Sequence, residues 1–516
     1  MGLDDTIEVL TARWPLFAAT GATLVGATVA RHLYRWSVLS SIPMLGEELG
    51  GRDKRRAAYT KGAKQMYEDG YNKFKDALFR ITTTKDAPTI VVSQRFLAEI
   101  QKLPDDIVSM EAAVEESIEA KYTKLVSENS FATSHIIKST LTPSLVRLNP
   151  TIAEEVAKAF RDELPIGADW TEININKKLL RIVAKVSGRI FIGPELCHAE
   201  EYIDASINYT IEVMNAVRDI NSMNWFRHLR APYLASVKRL DQRVEQALNF
   251  LQPVVSGRLE AAKNDPEWEK PDDMLQWIME ARAKDGKVDV ENIARLQLGL
   301  SFAAIHTTTL TATNAFYNLA AMPEIVPELR DEIRGVLAES NGTFTGTALQ
   351  KMKKLDSFLR ETSRFTPPGF ASFRRKVLKS FTLSNGQVIP AGVTIEASAQ
   401  GINHDEAVYP EPSKFDAFRF SRTRAADADG KRSASAGATN QFVSVNQTHL
   451  TFGLGRHACP GRFFAANEIK MILANALLRF DVKNVDGVEG RIPNLEFGTM
   501  SVPDGSKTLL FREAVA

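Results

Sequence analysis

Apolar and charged residues alternate at helical spacing in four long stretches, 55–79, 110–126, 151–163 and 234–263, and that period predicts helices. A further apolar run, 463–478, is long enough for a helix and directly follows a glycine-rich turn. Strand-type runs are short, at 89–93 (TIVVS), 381–383 and 393–396, and Ser384-Asn385-Gly386 reads as a hairpin turn. Residues 14–30 carry no charge, at the short end of what crosses a bilayer as a helix. Acidic Asp4, Asp5 and Glu8 precede that stretch, and Arg31, His32 and Arg35 follow it. This order is the reverse of a cleavable signal peptide and predicts a single-pass anchor with the bulk of the chain in the cytosol. Residues 423–440 are rich in Ala, Ser, Gly and Asp and read as a surface loop. No repeat or linker divides the remainder. The expected fold is mainly α with small β-sheets: one domain over 37–516 behind an anchor and its flanks at 1–36.

Composition narrows the class. The 516 residues are 44% hydrophobic, with 64 basic against 63 acidic side chains and a net charge of +1. These proportions exclude a disordered chain, a collagen-like fibre and a polytopic membrane protein. Near-neutrality removes the long-range positive field of a bulk nucleic-acid binder, so no nucleic-acid partner is expected. Two cysteines cannot build a disulfide framework, which fits a reducing compartment. The sequons at Asn208, Asn341 and Asn446 would then stay bare.

The chemistry concentrates at Phe452-Gly453-Leu454-Gly455-Arg456-His457-Ala458-Cys459-Pro460-Gly461. Glycines on both sides of Cys459 allow the backbone to turn tightly against a flat partner. The helix expected just beyond it would aim amides at the sulfur, favouring thiolate and metal ligation. One thiolate without a second cysteine or clustered histidines does not suit structural zinc; it suits an axial ligand of haem iron. An inert buried thiol in a Gly-rich turn is the plain alternative. No motif surrounds Cys197, which reads as an ordinary free thiol.

This segment resembles the haem-binding loop of the cytochrome P450 family, Phe-x-x-Gly-x-Arg-x-Cys-x-Gly, through Phe452, Gly455, Cys459 and Gly461; His457 replaces the family's arginine. Three further signals resemble the family in its order. Glu361 and Arg364, three apart on one helical face, match its Glu-x-x-Arg, and Arg419 in FDAFRF matches the third member of a structural triad. In LSFAAIHTTT, Phe302, Ala303, His306 and Thr307 share a helical stripe similar to the oxygen-activating helix. Thr307 takes the proton-delivering position and His306 replaces the usual acid; a neutral imidazole can also relay a proton. By itself such a threonine cluster is more often packing. Arg374 or Arg375, Lys138 and His457 are candidates for the haem propionates, since guanidinium and carboxylate pair well. His404 matches a frequent family position with a structural reading.

The resemblance covers roughly 45–515 and is strongest to the fungal microsomal branch. It implies a haem-thiolate monooxygenase that inserts one atom of O2 into a hydrophobic small molecule. A terpenoid or steroid-like substrate, hydroxylated once or oxidised successively in secondary-metabolite biosynthesis, is the expectation. Pocket walls would include Phe302, Ala303 and segments 368–372 and 497–502. Electrons would come from NADPH through NADPH-cytochrome P450 reductase, with cytochrome b5 as a further donor, because the chain has no GxGxxG fingerprint. Arg456 and Arg462 would belong to the docking face. The expected location is the endoplasmic reticulum membrane, in contact with lipid. Two other readings keep the fold: an isomerase or dehydratase needing no external electrons, and a non-catalytic haem-binding protein.

Overall fold

The computed structural model describes residues 3–125, 130–223, 227–283, 288–426 and 439–514. The helices that organise it are α1 (Leu3–Ser40), α2 (Arg52–Lys73), α3 (Met110–Ser117), α4 (Thr142–Glu163), α5 (Ile175–Phe191), α6 (Glu200–Ser222), α7 (Ala235–Asn264), α8 (Val290–Ala321), α9 (Lys353–Phe365), α10 (Arg419–Ala426) and α11 (Arg462–Arg479). Helix α8 is the axis of the molecule. Its first turn is capped by Asp289, whose carboxylate accepts from the amides of Glu291 and Asn292. Beyond that turn it packs against α5, α6, α7, α9 and α11, and most of its residues are buried. The main apolar cluster runs through these helices.

A second cluster lies along a five-stranded sheet. Its strands are β1 (Phe79–Ile81), β2 (Thr89–Val92), β3 (Val108–Ser109), β4 (Ala371–Val377) and β5 (Thr394–Ser398), in the order β1-β2-β5-β4-β3. Strands β2 and β5 run parallel with Ile90 opposite Ile395, and β4 and β5 run antiparallel. Their register shifts between Ser372 and Arg375, where Phe373 adopts φ +56°. Strands Phe381–Thr382 and Val388–Ile389 form the hairpin expected around Asn385-Gly386. The expectation of a helix-rich domain with small sheets is met.

Several boundaries differ from the sequence reading. The helix expected over 55–79 stops at Lys73, because Phe74 reverses the chain and stacks on Phe79 at 5.5 Å, the first residue of β1. That over 110–126 breaks at Glu119, which takes a left-handed conformation of φ 51°. The helix expected over 151–163 begins earlier, at Thr142, where a π-type turn, Ile137–Leu141, passes directly into α4. The loop expected over 423–440 lies mostly outside the described residues; Thr423–Ala426 belong to the end of α10.

The N-terminal stretch is helical but does not meet the requirement for a span. No helix among the described residues is long and apolar enough to cross a membrane. Alanine, glycine and threonine dilute the apolar content of 14–30, although Thr23 and Thr28 return their hydroxyl hydrogens to the carbonyls of Ala19 and Leu24. Large apolar side chains nevertheless stand in the open along α1, among them Trp14, Phe17, Leu24, Leu33 and Trp36.

Candidate active site

The Cys459 loop is shaped by its backbone. The Cys459 amide donates to the Phe452 carbonyl at 2.8 Å, closing the loop on itself. Gly453 and Gly455 adopt φ +76° and +69°, and a Cβ on Gly455 would lie 2.8 Å from Gln101 Oε1. The Phe452 ring packs edge-on against Phe442 at 5.2 Å. Cys459 itself is exposed, although Ala458 before it and Phe464 after it are buried. Solvent therefore reaches the thiol from one side while protein encloses the others. That enclosure pushes the thiol pKa up; the amides of Gly461 and Arg462, both hydrogen-bonded to the sulfur, and the Arg462 charge pull it down. A coordinated metal would settle the balance outright in favour of thiolate.

Helix α8 has a matching exposed face. Ala303 and Thr307, one turn apart, are exposed midway along a helix buried on its other faces, so they border a solvent-accessible hollow. Thr307 donates its hydroxyl hydrogen to Ala303 O at 2.7 Å. Phe302 is half-buried and packs on the main cluster, the one that also takes Phe452 and Phe463. His306 goes elsewhere. Its Nε2 sits 2.8 Å from the Ile207 carbonyl on α6, and burial lowers its pKa, keeping the ring neutral. No hydrogen bond joins His306 to Thr307 among the described residues, so the geometry does not build the expected relay between them.

The propionate candidates separate. Arg374 is already paired with Glu396 at 3.0 Å, in a network with Tyr67, whose hydroxyl donates to the same carboxylate. Arg375 is buried, its Nη1 donates to the Arg374 carbonyl at 2.8 Å, and no carboxylate among the described residues lies within ion-pair distance. Burial pulls its pKa down to about 10. Lys138 reaches the loop, with Nζ 3.2 Å from Arg456 O. His457 Nε2 lies 2.8 Å from Asp105 Oδ1, which also takes Arg456 at 2.9 Å. Arg462 Nη1 donates to Cys459 O at 2.9 Å. A thiol open on one side, a buried guanidinium without a counter-charge and a lysine beside the loop fit haem, an iron disc bearing two carboxylates.

The triad beneath is assembled. Glu361 and Arg364 are fully buried and meet through two 2.8 Å hydrogen bonds, and Arg419 Nε approaches Glu361 at 3.3 Å. Glu361 also accepts from the Asp416 amide at 3.0 Å, while Arg364 Nη1 ties the carbonyls of Asn403 and Pro412 at 2.7 and 2.8 Å. This is a structural clasp. His404 Nδ1 lies 3.1 Å from both Gln400 Nε2 and Gln400 O, one helical turn away.

Segments 368–372 and 497–502, both expected as pocket walls, meet: the Phe370 amide donates to Thr499 O at 2.7 Å. Phe497 and Met500 then line a cavity of about 580 Å³ with Tyr59, Met214, Val217 and Arg374; its lining does not include the expected Phe302, Ala303 or 368–372. Asp105, the acceptor for Arg456 and His457, sits in a turn with no motif around it.

The comparisons agree with this geometry. The cytochrome P450 family profile matches residues 65–510. Cytochrome P450 monooxygenase ATR3 of Stachybotrys chlorohalonatus is 38% identical over 82% of this chain and 88% of its own. Cytochrome P450 monooxygenase braC of Annulohypoxylon truncatum is 33% identical over 96% of this chain and 97% of its own. Cytochrome P450 monooxygenase paxP of Penicillium paxilli is 35% identical over 89% of this chain and 87% of its own. With a loop built to present one thiolate and a hollow faced by Ala303 and Thr307, this chain belongs to the cytochrome P450 monooxygenases, a family that works through thiolate-ligated haem.

Proposed function

We propose that this monooxygenase oxidises a terpenoid or steroid-like molecule in secondary-metabolite biosynthesis, by one C–H hydroxylation or successive oxidation at one carbon. The observation that carries this reading is the exposed face of Ala303 and Thr307 on an otherwise buried helix, bordered by apolar Phe302. Small side chains leave room for dioxygen and a rigid apolar substrate; the aromatic edge excludes water.

Haem supplies the activation of dioxygen that no side chain provides. Cys459 would hold its iron through Sγ, and Arg375, with Lys138 beside the loop, would neutralise its propionates. Thr307 gives its hydroxyl hydrogen to Ala303 O, so its oxygen faces the hollow as an acceptor and can position a water for proton delivery. His306, neutral and tied to α6, holds the two helices in register around that hollow.

Electrons would arrive from NADPH through NADPH-cytochrome P450 reductase, with cytochrome b5 as a further donor. Basic Arg456 and Arg462 beside the loop favour an acidic partner surface there. The exposed apolar side chains of α1, followed by Arg31 and Arg35, support attachment to the endoplasmic reticulum membrane with the catalytic domain in the cytosol. Alkaline extraction of microsomes against a chain starting after residue 36 tests that attachment.

The functional test is product formation from a hydrophobic library with purified reductase. Turnover should require NADPH, and Cys459→Ser should lose both activity and the thiolate-type carbon-monoxide spectrum. Equal turnover without NADPH would overturn the monooxygenase reading in favour of an isomerase or dehydratase.

A further inference from the structure

Away from the hollow, three side chains of metal-binding type converge. Glu155 on α4 and Cys197 and His198 in the turn between α5 and α6 place one oxygen, one sulfur and one nitrogen within 4.8 Å of one another. Cys197 and Glu155 are buried, at 1% and 8% exposure, while the His198 side chain is 29% exposed and forms the open edge. Glu155 Oε1 lies 2.7 Å from His198 Nε2. Even so, neither atom makes a hydrogen bond of acceptable geometry among the described residues. The contact of Cys197 Sγ is a long one, 3.8 Å to Pro194 O. Three donor atoms thus face one another with no hydrogen bond joining them, an unusual state for buried polar groups.

We propose that Glu155, Cys197 and His198 bind a zinc-type divalent cation, with water in the fourth position at the His198 edge. Mixed sulfur, imidazole and carboxylate donors suit zinc better than magnesium or calcium, which take oxygen. Thiolate and carboxylate together supply two negative charges, matching the ion, and the buried thiol would release its proton on binding. Tetrahedral ligation at about 2 Å separates oxygen and nitrogen donors by about 3.3 Å, so Glu155 and His198 need open only slightly. Rotation of the half-exposed His198 ring supplies that movement. A bound ion would pin the α5–α6 turn to α4. Helix α6 carries the Ile207 carbonyl that holds His306, and Met214 on the wall of the 580 Å³ cavity, so the ion would stiffen the helix that contacts both.

The test uses untagged, haem-loaded full-length protein, stripped with chelator and dialysed against micromolar zinc chloride, with metal measured by mass spectrometry. One zinc per chain is expected, with affinity weakened at least about tenfold in Cys197→Ser and in His198→Ala while the carbon-monoxide spectrum persists. If Cys197→Ser does not fold, alkylation of the parent decides. The chain has two cysteines and Cys459 is engaged by iron, so zinc should slow modification of the remaining thiol. A parent that binds no zinc, affinity unchanged in either variant, or alkylation indifferent to zinc would overturn the proposal and leave a simple Glu155–His198 ion pair.

Discussion

Replacing Glu361 by glutamine keeps the shape of the triad and removes its only negative charge. The carboxylate is fully buried and accepts from Arg364 twice at 2.8 Å, from the Asp416 amide at 3.0 Å and from Arg419 at 3.3 Å. An amide can accept through one oxygen alone, and its NH2 would face a guanidinium. Two cations would remain at a site closed to water. Breaking a buried pair from one side costs about 3–5 kcal/mol. The unfolding entropy of a chain of 516 residues is about 1 kcal/mol/K, so the melting temperature should fall by about 3–5 °C. Arg364→Ala should cost more, because the carbonyls of Asn403 and Pro412 would also lose their donor. The control is Lys379→Ala: its 2.6 Å pair with Asp106 is 64% and 62% exposed, and its loss should shift melting by less than about 1 °C. The assay is thermal unfolding of haem-loaded variants matched for carbon-monoxide spectrum. A Glu361→Gln melting temperature no lower than that of Lys379→Ala would refute the clasp.

Four further outcomes are expected. Arg375→Met should speed haem loss to an acceptor protein by about tenfold or more, since a charge-assisted bond worth about 1.5–3 kcal/mol disappears. Thr307→Ala should keep the carbon-monoxide spectrum but lower product formed per NADPH by about a hundredfold or more, the ~10²–10⁴ range for a lost proton-delivery group. Gly455→Ala forces a side chain into φ +69° and against Gln101, costing at least about 1–2 kcal/mol, and haem content after expression should drop. Glu468, buried beside Ser187, has its pKa raised by burial to about 8. The folded state therefore keeps a proton the unfolded chain has lost, and stability falls as pH rises from the ordinary carboxylate range towards 8. Melting measured near pH 6 and pH 8 should show Glu468→Gln with a flatter profile and a higher melting temperature than the parent at the upper pH.

The sequence made the helices and the cysteine loop legible because each rests on local chemistry. Periodicity marks α2, α4 and α7, and glycines flanking a cysteine mark a tight turn. Spacing puts Glu361 and Arg364 on one helical face, and the family's Glu-x-x-Arg pattern singles them out among the many such pairs. What stayed hidden depends on distant partners. That Arg374 is spent on Glu396 while Arg375 is left over follows from the register shift opposite β5, which no local pattern announces. His306 shares a stripe with Thr307 in sequence, yet the arrival of α6 gives its ring another acceptor. Glu155 stands about forty residues from Cys197 and His198, and only the packing of α4 beside that turn brings the three together.

The bond from the Cys459 amide to Phe452 and the left-handed glycines place the sulfur without help from the side chains of Arg456 and His457. Those two reach instead to Asp105, in the first quarter of the chain. A polypeptide emerging from the ribosome must therefore carry the 101–105 segment unclasped until almost nine-tenths of its length has been synthesised. Pigment uptake and fastening of that early segment become a single late event, and chains truncated before residue 455 should be left open to proteolysis there.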